Sequence, residues 1–283
     1  MRLQFAAAAF AVAFLAFASA SRAAEPSELT VIVMDPLSAE LSCPCVAGYA
    51  QRDYNKLAKH LEKAIGRPVK VYFSESLTHA LKKKTEGKAD IVIGKESVVR
   101  NEAAENKLGA TPIASLTGKD GKTTMTGLFV VGGKDPAITV NDLKEHRIFF
   151  GPKECDEKYA AAFKLMKELG MKYEGKIETC PSCSVGATKV VDGVKGGEKI
   201  ATVVSSYAQP LLEGCGTIKK GDVRVVGETD PVPFIVAFAT DKLPSTDREA
   251  VEKALFAIAK DAELCKVMET KSGFVSFDDG KKK

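Results

Sequence analysis

Gly87-Lys88-Ala89-Asp90-Ile91-Val92-Ile93-Gly94-Lys95-Glu96-Ser97 joins the end of one predicted helix, a buried strand and the start of the next helix. Gly87 stops a helix that Ser74 or Ser76 can cap. Residues 90–93 form a short apolar run that reads as a buried strand, and Gly94 turns it into a helix over 96–106. Working back, residues 69–73 and 29–34 are further β-rich runs. Between them Tyr54, Leu57, Ala58, Leu61 and Ile65 fall at helical spacing within 49–65, closed by Gly66 and Pro68. Working forward, residues 111–116 and 126–131 read as strands of a hairpin turned at Lys119-Asp120-Gly121-Lys122. A second series then follows, with strands at 147–150, 176–179, 200–204 and 223–226. Helices are predicted at 156–169, 183–194 and 206–212. After Pro231 and Pro233 come a last strand at 235–239 and helices at 246–260 and 262–270. Strands alternating with helices predict an α/β fold with mainly parallel sheets flanked by helices.

The 283 residues are 45% hydrophobic and 28% charged, which excludes disordered, collagenous and coiled-coil classes and suits two domains. A net charge of +4 is too even for a dedicated nucleic-acid binder, and three His leave little room for a His-rich metal site. At the N-terminus, Met1-Arg2, an apolar run over 5–18 and the small-x-small sites Ala18-Ser19-Ala20 and Ser21-Arg22-Ala23 form the pattern of a secretory signal peptide. Cleavage is expected between about Ala20 and Glu25. The run is shorter than the roughly 20 residues a spanning helix needs, so an exported periplasmic chain without membrane insertion is expected. The expected organisation is a signal peptide over 1–24, lobe I over 25–131 plus 233–283, and lobe II over 132–232. Two segments then cross between lobes and can act as a hinge.

In α/β units ligands sit beyond the carboxyl ends of strands, at helix N-termini. That rule selects the loops 42–49, 74–76, 94–97, 151–159, 180–184 and 205–207. Five of the seven Cys lie in them: Cys43, Cys45, Cys155, Cys180 and Cys183. Cys215 and Cys265 read as packing residues or a bridge to one another. In an exported chain the loop cysteines allow structural disulfides such as Cys180–Cys183. They also allow a thiolate site for a soft metal or metalloid, with Cys43, Cys45, Cys180 and Cys183 as the metal candidates, or thiol–disulfide exchange through Cys180-Pro181-Ser182-Cys183. The remaining ligand candidates are Tyr49, Ser74, Ser76, Lys95, Ser97, Tyr159, Ser184, Ser205, Ser206 and Tyr207. No G-x-S-x-G, H-E-x-x-H or phosphate-loop motif occurs, so no catalytic residues, enzyme activity or cofactor are assigned.

Several segments in order carry a family likeness. They are Gly87–Gly94, Gly127-Leu128-Phe129-Val130-Val131 followed by residues 138–143, Arg147 to Gly151 with Tyr159-Ala160-Ala161 and Leu169-Gly170, residues 201–207, and Pro231-Val232-Pro233. Together, over about residues 29–273, the chain resembles the phosphate/phosphite/phosphonate-binding proteins of ABC transporters. The resemblance implies a two-lobed type II periplasmic-binding-protein fold with the ligand cleft between lobes. It also implies a monomer that binds a small oxyanion such as phosphonate, phosphite or phosphate, and delivery to a membrane permease or, as a sensor, to a kinase. Some sensors resembling this family recognise arsenite, so an arsenite- or copper-like ligand is the alternative, and an exported redox protein the further one. Two departures stand out. Where the family places Ser/Thr at an anion-binding helix start, this chain has Lys153-Glu154-Cys155-Asp156-Glu157-Lys158, and where it often has Ser-His, this chain has Cys180-Pro181-Ser182-Cys183-Ser184. The carboxylates of the first run would repel a dianion unless they point away.

Overall fold

Caps and apolar spacing set the first unit of the chain. In the computed structural model, which describes residues 28–42, 51–173 and 176–277, Asp53 caps the first helix by accepting from the Lys56 amide at 3.0 Å. Gly66 closes that helix with a left-handed φ of 69°. The described elements in chain order are β1 (Leu29–Met34), α1 (Tyr54–Ile65), β2 (Val69–Phe73), α2 (Leu77–Lys83), β3 (Ile91–Lys95), α3 (Glu96–Glu105), β4 (Ala110–Leu116), β5 (Thr124–Met125) and β6 (Gly127–Gly132). There follow β7 (Arg147–Phe150), α4 (Ala160–Glu168), β8 (Glu178–Thr179), α5 (Cys183–Lys195), β9 (Ile200–Ser205), α6 (Ala208–Gly214) and β10 (Val223–Glu228). The chain continues through β11 (Val232–Pro233), β12 (Ile235–Thr240), α7 (Ser245–Ala257), α8 (Ala262–Val267) and β13 (Phe274–Val275).

The strands form a six-stranded sheet of order β13-β4-β12-β3-β1-β2 and a five-stranded sheet of order β10-β6-β9-β7-β8. The expected parallel units are present: β1 with β2 and β3, and β7 with β8 and β9. The remaining ladders are antiparallel. They involve the strands that arrive from the other sheet, β6 and β12, and those that extend the sheets beyond them. Alternate β1 residues serve the two faces of the first sheet. Leu29, Val31 and Val33 pack with Leu57 and Leu61 of α1 and Leu255 of α7, whereas Ile32 and Met34 pack with Leu77 of α2 and Val99 of α3. In the second sheet Phe129 and Val131 pack with Ala162 of α4, and Val130 packs with Ala187 of α5 and Leu212 of α6. Both sheets are covered on both faces, which is why their central strands read as unbroken apolar runs.

Two sequence expectations change here. The Asp120-Gly121 turn forms: the Gly118 amide donates to the Lys122 carbonyl at 2.7 Å, and Gly121 takes φ +85°. The flanking strands nevertheless do not pair with each other. β4 pairs with β12 and β13, while β6 pairs with β9 and β10. Strand β6, which the sequence division placed with lobe I, thus lies in the five-stranded sheet. The two connections between the sheets run through a small antiparallel ladder, Val232 beside Met125 and Pro233 beside Thr124.

Candidate functional site

The ends of β1, β3, β7 and β9 and the starts of α5 and α6 meet around a cleft of about 430 Å³. Its lining includes Met34 and Pro36 after β1, Lys95 at the end of β3, Pro152, Glu154, Cys155 and Lys158 after β7, Cys183 and Ser184 of α5, and Tyr207. A larger groove of about 580 Å³ lies against α5 and β7, but its charged residues Arg147, Lys189, Asp192 and Glu198 are all exposed. Of these two, the cleft is the one lined by buried charge, Lys95 and Lys158.

That charge comes from the run that the sequence shows as Glu154 to Lys158. After β7 it forms a single 3-10 turn, Asp156–Lys158, and Tyr159 at φ −124°, ψ −80° separates the turn from α4. The predicted helix start at residue 156 is therefore displaced to Ala160. The turn lies across the beginning of β6. A Cβ on Gly127 would sit 1.9 Å from the Glu157 carbonyl oxygen, so only glycine admits the turn there. Glu157 is turned inward, its side chain 1% exposed, and pairs with Lys95 at 2.5 Å across the gap between the sheets. Ser205 at the end of β9 donates to the same oxygen at 2.7 Å. Ser97 accepts from the Asp156 amide at 3.2 Å, and Arg100 of α3 pairs with Asp156 at 2.9 Å. Residues of the first sheet's helix and strand ends thus grip one turn of the second.

Burial alone would raise the Glu157 carboxyl, but the Lys95 and Lys158 ammonium groups outweigh it and hold it below the usual carboxylate range. Burial likewise opposes the Lys95 charge, and Glu157 more than offsets it, leaving Lys95 above the ordinary lysine value. Lys158 is 5% exposed and has no carboxylate partner within ion-pair distance among the described residues. Its ammonium donates to Cys183 Sγ at 3.8 Å. Its stem lies over Gly151, where a Cβ would come within 2.5 Å. Burial opposes its charge too, and Cys183, Cys155 and, less strongly, the Glu157 carboxylate that Lys95 pairs with hold it above the ordinary value. Burial pushes the Cys155 thiol up, against the pull of Lys95 and Lys158.

The remaining predicted residues divide. Ser184 lines the cleft and bonds Ser182 Oγ at 2.8 Å. Tyr207 forms part of the wall, stacked on Phe234 at 5.3 Å between ring centroids, and burial pushes its phenol well above the usual range. Ser74 and Ser76 serve their own lobe: Ser76 caps α2 and donates to Glu102 at 2.9 Å, and Ser74 donates to the Ser76 carbonyl. Ser206 accepts from the Thr126 amide at the crossing segment. Tyr159 turns away into an aromatic cluster with Phe150 and Phe163. Cys43, Cys45 and Tyr49 lie outside the described residues.

Of the alternatives left open for the cysteines, the Cys180–Cys183 and Cys215–Cys265 bridges are not formed, and all four are free thiols. Cys180 packs in the core with Phe149 and Val190, while Cys183, three residues on at the start of α5, lines the cleft. One sulfur of the C-x-x-C pair is thus withdrawn from exchange chemistry. Among the described residues no group of three or more His, Cys, Asp or Glu side chains could hold a metal ion. Sequence reasoning missed Glu157 and Lys158 as site residues. It also missed a buried network beneath the cleft, in which Asp35 accepts from Arg52 at 2.8 Å and from Tyr54 at 2.6 Å, with Arg52 over the Phe234 ring. The signal for the network was an Asp at a strand end followed by Arg-Asp-Tyr at a helix start.

Known proteins share this architecture. The fold matches a binding-protein component of an ABC phosphonate transporter from Pseudomonas aeruginosa with a TM-score of 0.65 at 15% identity, over 89% of this chain and 82% of that one. It matches PhnD1 from Prochlorococcus marinus in complex with methylphosphonate at 0.62 and 14%, over 89% and 93%. It matches a Xanthomonas citri protein bound to ATP at 0.64 and 16%, over 90% and 93%. These likenesses establish the type II periplasmic-binding-protein fold. No curated protein matches in sequence. The family model of the phosphonate periplasmic substrate-binding proteins of ABC transporters matches residues 48–281, most of the sequence, and the chain belongs to that family.

Proposed function

We propose that this chain is the exported solute-binding component of an ABC importer and captures a small oxyanion of the phosphonate, phosphite or phosphate class in the cleft between its two lobes. Lobe I on this reading comprises the six-stranded sheet, lobe II the five-stranded sheet including β6, and the β5–β11 ladder is the hinge. The observation that carries the reading is Lys158, a buried ammonium with no carboxylate of its own among the described residues. A buried charge without a partner costs several kcal/mol, and an anionic guest would supply the missing counter-charge. Cys155, Cys183 and Ser184 would stand around that guest. The rim carries Glu75, Glu102 and Glu154, and Glu102 already accepts from Ser76 and from the Thr78 amide. Closure around the guest would present one shape to a membrane permease, and the chain would act as a monomer, its signal peptide removed between about Ala20 and Glu25.

Titration calorimetry of the mature protein with methylphosphonate, phosphite, phosphate and methanesulfonate tests this. At least one should bind and raise the melting temperature, and Lys158→Met should abolish binding while the protein still melts cooperatively. Binding of none of these anions by the wild type, or undiminished binding by Lys158→Met, would sink the reading.

A further inference from the structure

Two ammonium groups reach the cleft from opposite sides, but one already has a counter-ion in the protein. Lys95 is paired at 2.5 Å with Glu157, whose carboxylate also accepts from Ser205 at 2.7 Å. Glu157 cannot readily swing away. Its side chain is 1% exposed, and its backbone lies against Gly127. This leaves one uncompensated positive charge, at Lys158. The other charged group nearest it in the chain and lining the cleft is Glu154, whose sign is wrong for a guest with two negative charges. We propose that Glu157 acts as a built-in counter-ion that sets the charge of the guest, so that the cleft selects singly charged tetrahedral oxyanions, such as sulfonates and phosphonate monoesters, over dianions. This rests on the anion-binding reading above and deepens it.

The charge arithmetic is local and can be altered. A dianion would bring a second negative charge into a buried space where Lys95 is already neutralised, and like charges brought together in a low-dielectric site repel strongly. Replacing Glu157 by Gln would release the Lys95 charge toward the guest. Replacing both partners, Lys95→Met with Glu157→Gln, would restore the native sum with different residues.

Methanesulfonate and methylphosphonate have nearly the same size and shape, and above the phosphonate's second ionisation they differ by one charge. Calorimetry with both ions under that condition gives the test. The wild type should bind methanesulfonate about tenfold or more tighter than methylphosphonate, and Glu157→Gln should narrow or reverse that ratio by about tenfold. The double variant should keep the wild-type ratio, and it provides a second measurement if Glu157→Gln does not fold. Equal or tighter binding of the dianion by the wild type, or a double variant that prefers the dianion, would overturn the proposal while leaving anion capture intact. Binding of neither ion at any charge state would instead remove the anion reading and this inference with it.

Discussion

Gly151 supports the Lys158 stem from below, and the fit leaves no room for a methyl group. A Cβ there would lie 2.5 Å from Lys158 Cβ and 2.8 Å from its Cε. Because the nearest obstructing atom, Lys158 Cβ, is fixed by its backbone, Gly151→Ala should shift the Asp156–Lys158 turn together with the ammonium, and so lower stability as well as anion affinity. Anion affinity should fall by about tenfold to a hundredfold, as misplacement of a binding group by about 1 Å does. Calorimetry together with a melting curve separates lost binding from lost stability. Glu157→Ala strands the buried Lys95 ammonium and should cost about 3–5 kcal/mol in denaturant unfolding. The resemblance put the run from Lys153 to Lys158 at an anion-binding helix start, but did not show that Glu157 turns inward or that Lys158 is buried. The residues that turn the run inward, Gly127 and Lys95, lie about thirty and sixty positions away. Lys95, Ser97 and Ser205 were legible because each ends a strand or opens a helix.

Between residue and lobe, the elements carry the site through their ends. Ser182 caps α5 by accepting from the Val185 amide at 3.3 Å, and so orients the first turn that holds Cys183 toward the cleft. Ser182→Ala should cost about 1 kcal/mol of stability, measured by thermal or denaturant unfolding. Gly127→Ala is a harsher change, because the obstructing atom is the Glu157 carbonyl at 1.9 Å and backbone cannot step aside as a side chain can. It should both destabilise lobe II and separate Glu157 from Lys95, a pairing that the titration of Glu157 followed by NMR would report. Some boundaries were legible from their punctuation, Gly66 closing α1 and Ser76 opening α2, but the start of α1 was read at residue 49, and the caps Asp53 and Ser182 were not read as such. The hairpin assigned to β4 and β6 was a misreading, because its turn is real and local while the true partners of both strands are distant. The disulfide alternative fell for a similar reason. Spacing places Cys180 and Cys183 near each other but does not say that one sulfur is committed to the core.

At the scale of the molecule, the same few contacts that build the site also hold the two sheets together on the cleft side. The pair Lys95–Glu157, the Ser97–Asp156 contact and the pair Arg100–Asp156 all cross between them, while the chain itself crosses at the β5–β11 ladder. The alternation of strands and helices made two α/β lobes legible in the sequence, but not which charges would face each other over the gap. The pH dependence follows from the directions of the shifts. Glu157 titrates below its ordinary value, so its pairing stabilises the folded protein fully above that value, and this contribution is lost as pH falls through the folded pKa. Lys95 titrates above its ordinary value, so its contribution holds below that value and is lost as pH rises through its own folded pKa. The closed arrangement should therefore persist across the neutral range and loosen in acid. There a protonated Glu157 leaves Lys95 charged, buried and without its counter-ion. Small-angle scattering on an acid titration should show the radius of gyration rising before the helical circular-dichroism signal is lost, as the lobes separate around the ladder. Lys95→Met with Glu157→Gln has no such pair to lose and should stay closed to lower pH. If the double variant opened at the same pH as the wild type, the crossing ion pair would not be what holds the cleft shut.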